Sequence, residues 1–174
     1  MMQIKISHYT IEDFLNTEGV ILYKVVGKSM EPMLRPNRDL VLIQKKGDTE
    51  KISENDVVLY KSNGKLILHR IIKVEGQGKY IILGDNSSRI EKNIPEENII
   101  GILQCFYRDG LLFTTKNNTY LSYVERMRKG ENIRIKKKKI YDFILWHFKF
   151  LPIPILFRMK IYIKDILNYN YNFE

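Results

Sequence analysis

Three short segments carry side chains whose types and order fit acyl transfer through a serine hydroxyl. They are Gly27-Lys28-Ser29-Met30-Glu31-Pro32-Met33-Leu34, Leu68-His69-Arg70-Ile71-Ile72 and Gly84-Asp85-Asn86-Ser87-Ser88-Arg89-Ile90-Glu91. Ser29 follows an apolar, β-branched run and a glycine, and it precedes a proline-containing turn. A serine so placed can be exposed on a sharp bend. His69 stands in a largely apolar strand stretch, where its imidazole is partly desolvated. Glu91 or Asp85 supplies a carboxylate in the polar stretch after the next strand. Serine, imidazole and carboxylate are the parts of a base-activated nucleophile. Each also has an ordinary reading. A serine in a turn often caps the turn, and a histidine on an apolar strand is often a hydrogen-bonded core residue. Residue types alone do not choose between the readings.

The surrounding elements must bring these segments together. Thr10 reads as an N-cap before Ile11-Glu12-Asp13, and Gly19 as the stop of a short helix. Strands are expected over Val20–Val26, Leu40–Gln44, Val57–Tyr60, Lys65–Val74, Tyr80–Leu83, Ile99–Tyr107 and Leu111–Thr115. Asn63-Gly64 and Asp109-Gly110 are hairpin signals, because those residues tolerate positive φ. Gly84–Pro95 reads as a polar loop, and Lys28–Arg38 as a loop or turn. Many short strands with frequent turns predict a barrel-like or sandwich architecture. After Thr119 a helix is expected over Tyr120–Lys129, stopped by Gly130. Another is expected over Ile155–Leu167, beyond Pro152 and Pro154. The expected organisation is a short helix over residues 1–19, a β-rich domain over 20–117 and a basic, aromatic, mainly helical extension over 118–174.

Composition narrows the function classes. The chain has 174 residues, 44% of them apolar, a balance that excludes a disordered chain. Its single cysteine, Cys105, forms no bridge within the chain, which fits a reducing compartment. With only His8, His69 and His147, a His/Cys metal site is not expected, nor is any cofactor. The formal charge is +9, but it is unevenly spread. Residues 1–100 hold 15 basic and 14 acidic side chains, net +1, whereas residues 101–174 hold 14 and 6, net +8. No apolar run reaches membrane-spanning length; the nearest, Ile140–Phe157, is broken by Asp142, His147, Lys149, Pro152 and Pro154.

Read as exact strings, the three segments resemble the boxes of the signal peptidase I superfamily, which includes the LexA-type autoproteases. Ser29-Met30-Glu31-Pro32 is similar to its nucleophile box. Asp39-Leu40-Val41-Leu42-Ile43 is similar to its Gly-Asp-Leu-Val strand, and Asn55-Asp56-Val57-Val58-Leu59-Tyr60 to its Gly-Asp-Ile-Val strand. Pro95-Glu96-Glu97-Asn98-Ile99-Ile100-Gly101 is similar to the segment closing the last box. The resemblance runs from about Val20 to Leu103. It implies a mainly β, signal-peptidase-like or LexA-like barrel-type catalytic domain, here followed by the helical basic extension. Histidine at the base position resembles the archaeal and endoplasmic-reticulum branch rather than the lysine-containing bacterial and LexA types.

The resemblance implies a serine endopeptidase with Ser29 as nucleophile, His69 as general base, and Glu91 or Asp85 as the acid that orients the imidazole. Glu91 stands near the place of the family's aspartate, and Asp85 matches its more structural Gly-Asp aspartate. The Ser29 backbone N–H is the expected oxyanion donor. Many signal peptidases add a hydroxyl two residues before the nucleophile, but here that residue is Gly27. The substrate, a peptide or precursor protein, is expected to add as an extended strand, with Met30 and Pro32 as pocket or floor residues. Imidazole is neutral near pH 7 without the desolvation a lysine base needs, so activity is expected to rise through roughly pH 6–7 and then level off. The rival expectation is a catalytically silent module of the same fold that binds a peptide strand.

A signal peptidase has a membrane anchor before the Ser-Met box, and a LexA-type repressor has a DNA-binding domain there. The 28 residues before Ser29 match neither expectation, which points to a cytoplasmic catalytic part. Residues 134–167 suggest either a small helical cap or peripheral docking on an anionic membrane. In the second case Lys136–Lys139 would contribute about 1 kcal/mol per basic side chain near the surface, and Phe143, Trp146, Phe148, Phe150 and Leu151 would enter the interface. Nucleic acid is the weaker reading of the charge, because no recognition motif accompanies it.

Overall fold

The computed structural model of the chain describes residues 10–76, 78–166 and 173, with the side chains of 164–166 left aside. Helix α1 (Ile11–Glu18) is fixed at both ends by its own sequence. Thr10 accepts from the Asp13 N–H while Asp13 reaches back to the Thr10 N–H, and Gly19 closes the helix at φ 72°.

Eight antiparallel strands follow: β1 (Val20–Lys24), β2 (Leu40–Lys45), β3 (Val57–Ser62), β4 (Lys65–Glu75), β5 (Lys79–Leu83), β6 (Glu91–Pro95), β7 (Ile99–Arg108) and β8 (Leu111–Thr114). They form one sheet in the order β1-β2-β7-β3-β4-β5-β6, with β8 also on β7. This is an antiparallel β half-barrel followed by helices, the expected class. The Asn63-Gly64 and Asp109-Gly110 turns both have positive φ at each residue.

The sheet is buried on two sides. In β3, Val57 and Leu59 enter a core with Leu15, Met33, Leu34 and Phe106, while Val58 and Tyr60 enter a second core with Ile71, Tyr80 and Ile82. That explains why Val57–Tyr60 is an unbroken apolar run rather than an alternating one. Residues 91–95, expected as loop, instead form β6, paired with β5 at the sheet edge. An edge strand with one solvated side can be polar and can end in proline, so composition hides it.

Helix α2 (Asn118–Lys129) buries Tyr120, Tyr123, Val124 and Met127 in the first core. Gly130 then separates it from α3 (Glu131–His147), which runs straight through the lysine cluster. Helix α4 (Ile153–Ile166) follows the Phe148–Pro152 connection.

Candidate active site

Sheet register places His69. His69 on β4 pairs with Val58 on β3, so Tyr60, two residues along β3 on the same face, is its diagonal neighbour. Across β5, Ile82 pairs with Ile71 on one side and Glu91 on the other. Tyr60, His69 and Glu91 therefore converge from three strands. The Tyr60 hydroxyl donates to Glu91 Oε1 at 2.7 Å and lies 3.3 Å from His69 Nδ1. Glu91 Oε1 itself is 3.6 Å from Nδ1, beyond direct hydrogen-bond reach. Ser62 Oγ donates to the other carboxylate oxygen at 3.4 Å.

Proton roles follow from this geometry. Burial pushes the Tyr60 phenol far above its usual range, and its hydrogen bond to Glu91 adds to that. Tyr60 thus stays protonated and spends its one hydrogen on Glu91. Its oxygen is left to accept from Nδ1–H, which puts the free lone pair of neutral His69 on Nε2. Nε2 is buried and has no hydrogen-bond partner among the described residues. Burial lowers the imidazole pKa, with Glu91 and then Asp85 pulling it back up, so His69 is neutral at pH 7.

Gly84 stands between this nitrogen and the main chain of Ser29. A Cβ built on Gly84 would lie 2.8 Å from His69 Nε2 and 2.8 Å from the Ser29 carbonyl oxygen, so only glycine lets the Ser29 turn, His69 and the loop after β5 meet. The loop grips the turn in return: the Asn86 N–H donates to the Ser29 carbonyl at 2.7 Å, and Asn86 Nδ2 to the Lys28 carbonyl at 3.1 Å. Ser29 and His69 are thereby neighbours, although the Oγ–Nε2 hydrogen bond is not made here. Such bonds often tighten only with substrate bound.

Two buried ion pairs hold the frame. Arg108 donates from Nε and Nη2 to Asp39 at 3.1 and 2.9 Å, and from Nη2 to the carbonyls of Pro32 and Met33, which fixes the turn after Ser29. Arg70 makes a two-point pair with Asp85 at 2.9 and 2.7 Å, and Tyr123 donates to the same carboxylate at 3.0 Å. The Asp85 side chain is thus engaged by Arg70 and Tyr123, while Glu91 faces His69. Replacing Arg70 with leucine strands a buried carboxylate and is expected to destabilise the fold by about 3–5 kcal/mol. Chemical denaturation should then show part of the loss recovered in the Arg70→Leu/Asp85→Leu double variant. A loss below about 1 kcal/mol, typical of an exposed pair, would contradict this.

On the other side of Ser29 opens an apolar cavity of about 310 Å³. Ile21 and Val25 wall it from the β1 side, Leu66 and Leu68 from β4, and Met30 and Leu59 line it below. Gly27 lines its mouth at φ 89°, a conformation that disfavours any side chain and so suits the absence of a hydroxyl there. Pro32 does not line the cavity; it is half-buried with its carbonyl on Arg108. Among the described residues, strand β1 pairs with β2 alone, and its other edge beside the cavity has no partner strand there.

Sequence reasoning did not find Tyr60, Gly84 or Arg108. Tyr60 reads as an ordinary strand aromatic, and Arg108 pairs with an acid 69 residues away. Gly84 alone left a trace, as the glycine before Asp85 at the end of β5. Among the described residues, no cluster of His, Cys, Asp and Glu side chains could hold a metal ion, and no helix is long and apolar enough to cross a membrane.

A search of curated proteins found no match. The Peptidase S24-like family matches residues 3–103, more than half of the chain. That span contains Ser29, His69, Gly84 and Glu91, and the chain accordingly belongs to the Peptidase S24-like family.

Proposed function

We propose that the protein is a serine endopeptidase that cleaves a peptide or precursor protein. The observation carrying this reading is the unpartnered Nε2 of a neutral His69, set against Gly84 beside Ser29, with the Nδ1 side tied through Tyr60 to Glu91. Ser29 Oγ attacks the scissile carbonyl and passes its proton to Nε2. The resulting imidazolium is stabilised through Tyr60 by Glu91, and it returns the proton to the leaving amine. Water then enters by the same route and releases the acyl group from Ser29. The backbone N–H of Ser29 is the oxyanion donor of this reading; among the described residues it donates to no acceptor. An extended substrate adds to the open edge of β1 and lays an apolar side chain into the cavity. A histidine, rather than a lysine, as the base is what supports reading the chain with the histidine-containing branch.

Candidate precursor peptides incubated with the protein and analysed by mass test this. Discrete products from the wild type, absent with Ser29→Ala, are the expected result. Binding without turnover favours a second reading, a peptide-binding module, which the unformed Oγ–Nε2 bond would suit.

The Tyr60 link gives a separate expectation. Tyr60→Phe removes the acceptor for Nδ1–H and is expected to lower kcat roughly 10–10²-fold. KM should hardly change, because Tyr60 is buried away from the cavity. Unchanged kcat would mean that Glu91 orients His69 without the phenol.

A further inference from the structure

Helices α3 and α4 turn apolar and basic side chains outward together. At 3.6 residues per turn, Ile133, Lys136, Ile140, Phe143 and Trp146 fall on one side of α3, and all five are exposed. The other side faces the domain. Arg134 is buried there and donates from Nη1 to the carbonyls of Gly84 and Asp85. Asp142, at the margin, is tied to Lys138 and to Ser88 Oγ. In α4, Ile153, Phe157 and Ile161 form an exposed ridge flanked by Arg158 and Lys160, while Leu156, Met159 and Ile163 turn inward. Trp146 is 63% exposed, Phe157 64%, and Phe150 between the helices 87%.

Charge decides what can cover this surface. Residues 131–166 hold nine basic and three acidic side chains, net +6. A second copy would set these cations against each other. A protein interface of ordinary composition would deplete lysine from its centre, yet here Lys136 and Lys139 sit among the aromatics. Apolar side chains ringed by cations are the pattern of helices that lie in a bilayer surface. We propose that the outward faces of α3 and α4 dock on an anionic phospholipid surface. The aromatic and aliphatic side chains enter the boundary between headgroups and acyl chains, and Lys136, Lys139, Arg158 and Lys160 meet the lipid phosphates. The inference does not depend on the peptidase chemistry.

Trp146 is the only tryptophan in the chain, so its emission reports the docking directly. The full chain is mixed with vesicles of phosphatidylcholine, or of phosphatidylcholine with about one-third phosphatidylglycerol. Flotation with the second vesicles, a blue shift of Trp146 and its protection from an aqueous quencher are expected, and raising salt to about 1 M should release the protein. Neutralising Lys136 and Lys139 to glutamine should weaken partitioning about 30-fold, two side chains at about 1 kcal/mol each. Phe157→Ser, at an exposed site that leaves the fold intact, should weaken it as well. The proposal fails if Trp146 emission is unmoved and the protein stays with the buffer, or if phosphatidylcholine alone binds equally well. It also fails if Trp146 is already shielded without lipid in a sedimenting dimer.

Discussion

Ser29→Ala and His69→Ala are each expected to reduce turnover of a cleavable precursor peptide by at least about 10⁴-fold, to what strand binding and oxyanion stabilisation alone supply. The two losses should not add, because the hydroxyl is a nucleophile only when Nε2 can take its proton. Folding should survive both changes. Ser29 is a half-buried turn residue whose main-chain carbonyl, not its side chain, is held by Asn86. His69 leaves a modest cavity in a strand paired on both edges. Peptide binding should survive too, since His69 does not line the apolar cavity. Wild-type rates in His69→Ala would remove the base from the mechanism.

The pH profile is the companion measurement. Burial lowers the imidazole pKa below 6.5 against the smaller upward pull of Glu91 and Asp85. Protonated His69 cannot accept from Ser29, so kcat/KM should rise with pH through a midpoint below 6.5 and be flat at neutrality. This is a lower midpoint than an unperturbed imidazole gives. Glu91→Gln removes the larger upward pull and should move the midpoint lower still. The same shift bears on stability. A buried histidine whose folded pKa is depressed gives stability that is fully present above its unfolded pKa, and that stability is lost as pH falls through the folded value. Acid should therefore loosen the site as well as silence it.

How far the site could be read in advance depended on the range of the interactions that build it. Local devices were legible. Thr10 with Asp13, Gly19, Asn63-Gly64 and Asp109-Gly110 act within four residues, and each does in the structure what its chemistry demands. The family was legible because the residues around Ser29 and His69 carry a recognisable order. Between Gly130 and Pro152 the sequence marks no individual helix by caps, yet lysine is a good helix former and α3 passes straight through the run at 136–139. What stayed hidden depends on pairing across the sheet. No local signal says that Tyr60 will stand diagonally from His69, that Glu91 will open an edge strand opposite Ile82, or that Arg108 will reach back to Asp39 and fasten the turn after Ser29. These follow from register, and register is a property of the closed sheet.

Gly84→Ala tests whether that convergence is what catalysis uses. The added methyl would stand 2.8 Å from both His69 Nε2 and the Ser29 carbonyl oxygen, closer than a carbon sits to either. Neither neighbour yields freely. The imidazole is carried by a strand paired on both sides and held at Nδ1 by Tyr60, and the Ser29 carbonyl already accepts from Asn86. Gly84 itself cannot retreat, because Arg134 on α3 grips the carbonyls of Gly84 and Asp85 from behind. Relief must come from tilting the imidazole or lifting the nucleophile turn, and either separates Oγ from Nε2. A displacement of about 1 Å at the reacting groups costs about 10²-fold in rate. The expected result is a kcat lower by that factor, with peptide binding intact because neither Gly84 nor His69 lines the cavity, and with only modest loss of thermal stability. Full activity in Gly84→Ala would show that base and nucleophile do not meet across this glycine, and the base would have to be sought elsewhere.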